Sequence, residues 1–271
     1  MASTTVKRVL VLHGYGSNGY IFSKRLSTLR KQCKSTVEFV FIDAPHVLQA
    51  KDLFDDEPTE PEANSNPEDP NAVLRGWWKF ADKEKNVPIG MEDSLIFLRG
   101  VLKEASEEGK QFDGFFGFSQ GAVMAAVLAA LLEDSSKYSD FLIDGQPPHP
   151  PASFCVCAAG FLPTFLPASA ILSPTSELKT RTLHICGLND PIVPLAIAKR
   201  LTEITPNRRI ETHDGGHFVP SKTPWRKFIA AWLKDPMDNE ISSPEVSSTD
   251  SNSNSSESTP AASHSASPAP M

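Results

Sequence analysis

Gly117-Phe118-Ser119-Gln120-Gly121 is the stretch of this chain whose residue types and spacing offer the most chemistry. A serine hydroxyl is a poor nucleophile at neutral pH, so Ser119 needs a base to take its proton. The pentapeptide lies between an apolar run, FDGFFGF, and an Ala/Leu-rich run, AVMAAVLAALL. Strand, tight turn and helix in that order make an elbow that lifts the serine hydroxyl above the sheet edge. The flanking glycines have a physical reason to be small, because such a turn brings strand and helix backbones close together. The bland alternative is a simple turn residue or helix N-cap.

The elbow chemistry requires a carboxylate and then a histidine further along the chain. In LHICGLNDPIVP, Asp190 falls in a turn after a buried strand; in ETHDGGHFVP, His217 falls in a Gly-rich loop after another. Both positions are carboxyl ends of expected strands, where open α/β sheets build their sites. Asp190 would accept from one ring nitrogen of His217, and the other ring nitrogen would take the Ser119 proton. His213 is the rival base, but it ends the run RIETH, where the sheet would hold its ring. Asp214, the rival carboxylate, reads as a turn former. His184 reads as a core histidine, and His46, His149 and His264 stand in loop or tail context. The oxyanion needs two donors. They are expected from the backbone N–H of Gln120 and from that of Tyr15, in the loop HGYGS after the first strand, with His13 bracing that loop.

The elements that must position these residues alternate. KRVLVLH reads as a buried strand, about Ile21 to Cys33 as a helix, and VEFVFIDAP as a second strand. Met91 to about Ala105 is expected as a helix, with Leu95, Leu98 and Leu102 at helical spacing. SFCVCAAG, RTLHICG and RIETH are further strands; PLAIAKRLTEI and Pro224 to Leu233 are further helices, and GQPPHPP is a loop. The pattern predicts an α/β domain with a mostly parallel central sheet and helices on both faces. Between Ala50 and Asn71, eight acidic residues and four prolines interrupt it. This stretch reads as a solvated surface insertion, with a lid over the site as the sharper alternative. The domain is taken as residues 1–237. Residues 238–271, rich in Ser, Pro and Ala, are expected to be disordered for want of apolar surface to bury.

Composition sets limits on partners. A net charge of −7 and the lack of a Lys/Arg-rich face argue against nucleic acid. No apolar run reaches the length of a signal peptide core or a membrane span, which points to a soluble chain of the cytoplasm or the nucleus. The four cysteines (Cys33, Cys155, Cys157 and Cys186) lack CxxC spacing and read as reduced core thiols, so no metal and no cofactor is expected. Cys155 and Cys157 are expected on opposite faces of their strand.

HGYGSNG, RGWW followed by GMEDSLIFLR, FDGFFGFSQGA, LHICGLNDPIVP and HDGGHFVP together resemble the FSH family of serine hydrolases, which includes the ovarian cancer-associated protein 2 esterases. The resemblance spans about residues 7–233. GFSQG by itself is shared with acyl-protein thioesterases; its pairing with the WW and HDGGH segments is what points to FSH. The resemblance implies an α/β-hydrolase fold and a Ser119–Asp190–His217 triad acting on carboxylic esters of medium- to long-chain acyl groups. The alternatives are a thioesterase that releases an acyl or polyketide chain from a carrier or coenzyme A, and a non-catalytic relative that binds a lipid or a partner. The acidic insertion, the GQPPHPP loop and the tail depart from the family pattern.

Overall fold

The computed structural model describes residues 6–53, 69–82, 87–173 and 177–244. β1 (Lys7–Leu12) leads through α1 (Gly19–Arg25) and α2 (Ser27–Cys33) to β2 (Val37–Ile42). Two short antiparallel pairs follow: β3 (His46–Val47) pairs with β4 (Arg75–Gly76), and β5 (Lys79–Asp82) with β6 (Val87–Ile89). Then come α3 (Met91–Glu107), β7 (Gly114–Phe118), α4 (Gln120–Glu133) and β8 (Phe154–Ala158). The chain continues through α5 (Ala168–Ile171), β9 (Arg181–Gly187), α6 (Leu195–Glu203), β10 (Arg208–His213) and α7 (Thr223–Lys234).

Six strands form one sheet in the order β10-β9-β8-β7-β1-β2, and every pairing in it is parallel. Parallel sheets are covered on both faces, and the strand residues divide accordingly. Leu10 and Leu12 pack with α3 and α4, whereas Val9 and Val11 pack with α1, α2 and α7. α4 is buried from Gln120 to Leu132, which is why its Ala/Leu sequence shows no polar face. Glu133, at its end, accepts the backbone N–H groups of Lys179 and Thr180 and so fixes the entry to β9.

Several expectations change here. The first helix is two helices meeting at Leu26, whose backbone (φ −86°, ψ 8°) leaves the helical region. The two antiparallel pairs between β2 and α3 have strands of only two to four residues, too short to show a period. Cys155 and Cys157 share a face, with Sγ atoms 3.6 Å apart, because the side-chain period of a strand is two residues. The Cys155 thiol is pushed well up by its hydrogen bond with Cys157 and by burial; burial pushes Cys33 and Cys186 to about 11. The folded unit runs past residue 237: Asn239 accepts from Arg181, Ile241 packs on the α7 side of the core, and Ser243 donates to Glu211. The rest of the expected tail, 245–271, and the middle of the acidic insertion, 54–68, lie outside the described residues. Among the described residues, no helix is long and apolar enough to cross a membrane, and no cluster of three or more His, Cys, Asp or Glu is placed to hold a metal.

Candidate active site

From β1 the chain departs toward β2 on one side of the sheet, and from β7 it departs toward β8, β9 and β10 on the other. The carboxyl ends of β1 and β7 therefore flank the point where the strand order reverses, which is where open α/β sheets leave a crevice. His13, Gly14 and Tyr15 follow β1, and Ser119 follows β7.

Ser119 has φ 53° and ψ −118°, a left-handed conformation costly for a residue with a Cβ. Its surroundings hold it there. The Ser119 N–H donates to Ala158 O (3.0 Å), and its carbonyl accepts from Ala122 and Val123 (2.9 and 3.2 Å). A methyl group on Gly117 would stand 2.1 Å from the Gly121 carbonyl oxygen, and one on Gly121 would stand 2.1 Å from that of Leu12. Only glycines let β7, α4 and β1 meet this closely. Gln120 begins α4, so its N–H lacks an intrahelical acceptor and sits at the positive end of the helix dipole.

The loop after β1 is held by buried groups. His13 Nε2 accepts the Ala44 N–H (3.0 Å), so Nδ1 carries the proton and donates to Gly14 O (2.7 Å). Burial lowers the His13 pKa to about 4, which keeps the ring neutral at pH 7. Trp77 Nε1 donates to His13 O (2.8 Å). The Gln120 side chain accepts from Trp77 N (2.9 Å) and donates to Trp78 O (3.2 Å). Ser94 Oγ donates to Trp77 O (2.5 Å). The elbow, the β1 loop and the segment before β5 are thereby joined in one network. The same β1 loop grips both described ends of the acidic insertion: Tyr15 OH donates to Asp52 O (2.6 Å), and Asn18 Nδ2 to the carbonyls of Asn71 and Val73 (2.7 and 2.9 Å). Trp77 and Trp78 carried no assigned role in the sequence, though adjacent tryptophans beside a glycine were a visible signal of buried packing.

Asp190 and His217 are brought together: His217 Nδ1 donates to Asp190 Oδ2 at 2.8 Å. Asp190 Oδ1 accepts from the N–H groups of Ile192 (2.9 Å) and Val193 (2.8 Å). Burial by itself would raise the pKa of Asp190. The hydrogen bonds from His217, Val193 and Ile192 outweigh it and hold the carboxyl below its usual range. Asn189 staples the two loops, its N–H donating to Gly215 O (3.1 Å) and its side chain to Asp214 O (2.6 Å). The His217 ring lies 4.8 Å from that of Phe118, the residue before Ser119. No hydrogen bond joins Ser119 to His217.

The other histidines are otherwise engaged. His213 Nδ1 accepts from Gly215 N (3.2 Å), its ring packs on Phe218 and Trp225, and burial lowers its pKa against the charges of Asp214 and Asp190. His184 bonds Thr205 Oγ1 (2.9 Å), and burial takes its pKa to about 3. His149 accepts the Phe112 N–H (2.8 Å), and His46 pairs with Gly90 O.

A cavity of about 460 Å³ opens at the elbow. Tyr15, Ser119 and Gln120 line it at the elbow, Trp78, Phe80, Phe161, Leu162 and Phe165 form much of its wall, and Ile192, Val193, Ile197 and Arg200 a side supplied by the Asp190 loop and α6.

The chain is 32% identical over 244 residues to the esterase OVCA2 of Mus musculus, covering 86% of this chain and 97% of that protein. It is 31% identical over 231 residues to a Schizosaccharomyces pombe protein named dihydrofolate reductase. That match covers 83% of this chain and only 46% of the yeast protein, so the chain spans about half the length of that relative. The solved structure of Zea mays acyl-protein thioesterase 2 shares the fold at TM-score 0.56 and 19% identity, covering 86% of this chain and 94% of that one. The FSH1 serine hydrolase profile matches residues 1–229, and this chain, with its parallel sheet and its serine elbow, belongs to that family of hydrolases.

Proposed function

We propose that the protein hydrolyses carboxylic esters of medium- to long-chain acyl groups through an acyl-enzyme on Ser119, with His217 as base and Asp190 as its orienting carboxylate. The observation that carries this reading is the elbow: a serine held at positive φ on the floor of a largely apolar cavity. The Asp190–His217 hydrogen bond supports it, because a proton fixed on Nδ1 leaves Nε2 free to accept.

In the proposed reaction Ser119 Oγ bonds to the ester carbonyl carbon while its proton passes to His217 Nε2. The carbonyl π electrons move onto oxygen, which the N–H groups of Gln120 and Tyr15 receive. Collapse of the tetrahedral adduct breaks the bond to the leaving alcohol, which takes the proton from His217. Water then repeats the sequence on the acyl-serine, releasing the acid and restoring Ser119. The Ser119–His217 hydrogen bond forms as substrate seats, as such contacts often tighten only in the complex. His13 is outside this chemistry: both ring nitrogens are engaged, and it acts through the loop that presents Tyr15. The same steps cleave a thioester, and the likeness of fold to a plant thioesterase makes that the second activity to measure.

A fluorophosphonate probe should label the wild-type chain and fail on Ser119→Ala; labelling that survives would remove Ser119 as nucleophile. Turnover of p-nitrophenyl esters should rise with acyl length before falling, and a flat profile would count against an acyl-binding cavity. A folded chain that neither labels nor turns over any ester or acyl-CoA would be the non-catalytic relative.

A further inference from the structure

The cavity above Ser119 is largely apolar, and two of its polar side chains are already committed. Tyr15 OH is bonded to Asp52 O, and both ends of the Gln120 amide are bonded to the Trp77–Trp78 backbone. Arg200 is different. It carries the one charge in the cavity lining, it is exposed, and it makes no hydrogen bond, ion pair or ring contact among the described residues.

Its position is set by α6. Val193, Ile197 and Arg200 are spaced by four and three residues, so they fall on one side of the helix and its approach. Val193 lies beside Asp190, whose Oδ1 its N–H holds. From Leu195 to Arg200 the helix advances about 7.5 Å at 1.5 Å per residue. The lining therefore runs from the catalytic carboxylate along aliphatic side chains to an unpaired guanidinium. A cavity shaped for hydrocarbon alone has no use for a cation in its wall. Guanidinium presents a planar fork of donors that matches a carboxylate or a phosphate.

We infer that the substrate of this site carries an anionic group, a carboxylate or a phosphate, which Arg200 holds on the α6 side of the cavity. The inference rests on the hydrolase reading above and narrows its substrate class. The anion belongs either to the far end of the acyl chain, as in a half-ester of a dicarboxylic acid, or to the leaving group, as in a phosphate-bearing thiol.

Two matched substrate pairs distinguish these sources in the full-length protein. One is a neutral p-nitrophenyl alkanoate beside its ω-carboxy analogue of equal length. The other is an acyl N-acetylcysteamine thioester beside the same acyl group on coenzyme A. Arg200→Gln should lower kcat/KM for one anionic member by about two- to fivefold, the range of a solvent-exposed charge pair, and leave its neutral partner unchanged. Arg200→Lys should recover part of the loss, and added salt should shrink it. Loss on the ω-carboxy ester assigns the anion to the acyl group; loss on the coenzyme A thioester assigns it to the leaving group. Equal effects on both members of both pairs, or a lowered Tm with all ratios unchanged, would make Arg200 a helix-end charge and overturn the inference. If the wild-type protein turns over none of the four, or if turnover survives Ser119→Ala, the hydrolase reading itself fails.

Discussion

Replacing Asp190 by Asn tests the coupling between the carboxylate and the proposed base most directly. The amide can keep one oxygen facing the N–H groups of Ile192 and Val193, so the turn should persist. What changes is the contact to His217 Nδ1, now 2.8 Å from a charged oxygen. An amide NH2 there favours the tautomer with Nδ1 unprotonated, which puts the ring proton on Nε2, where the Ser119 proton must go. The developing imidazolium also loses its counter-charge. With charge centres about 4 Å apart and an effective dielectric near 20, that interaction is worth about 4 kcal/mol, close to a thousandfold in rate. The wrong tautomer adds to this, so kcat should fall by about 10³ to 10⁴ with KM little changed. The assay is steady-state turnover of a neutral p-nitrophenyl ester, alongside fluorophosphonate labelling rate and a thermal melt. A folded Asp190→Asn protein that keeps kcat within tenfold of wild type would refute Asp190 as the orienting group. The lowered pKa of Asp190 fixes its pH sense: the carboxylate contributes fully above the unfolded value, and its contribution is lost only as pH falls through the lower folded value.

Trp77→Phe removes the donor to His13 O, a buried carbonyl, at a cost of about 1–3 kcal/mol before any loss of packing. A lower Tm should accompany a drop in kcat, because the loop that presents Tyr15 loses a brace; a lower Tm with wild-type kcat would separate the tryptophan from the oxyanion loop. Acid should destabilise the fold through His13 and His184, whose folded pKa values lie at about 4 and about 3. For groups lowered in this way the unfolded chain binds protons first, so stability is whole above about pH 6.5 and declines below it, by roughly 2–3 kcal/mol for each ring at pH 4.5. Urea midpoints unchanged between pH 7.5 and pH 4.5 would contradict the burial of these neutral rings.

The sequence determined the α/β class, the sheet strands and the serine elbow, because each is local. A strand-length apolar run is legible within a few residues, and so is Gly117-Phe118-Ser119-Gln120-Gly121 between a strand and a helix. The same locality made Asp190 and His217 nameable as loop residues at strand ends. Chain order names them as partners, but their contact depends on β9 and β10 lying side by side and on Asn189 stapling their loops. The antiparallel pairs before α3 leave no mark in the sequence, because strands of two to four residues carry no periodicity. Hydrogen bonds in the Trp77–His13–Gln120 network span up to 64 positions of the chain, so only the closing of β1 against β7 could bring it together. Arg200 is one helix-end cation among 26 Lys and Arg residues in the sequence. Only the path of α6 along the Ser119 cavity, set by packing across the sheet, gives that charge a place in the site.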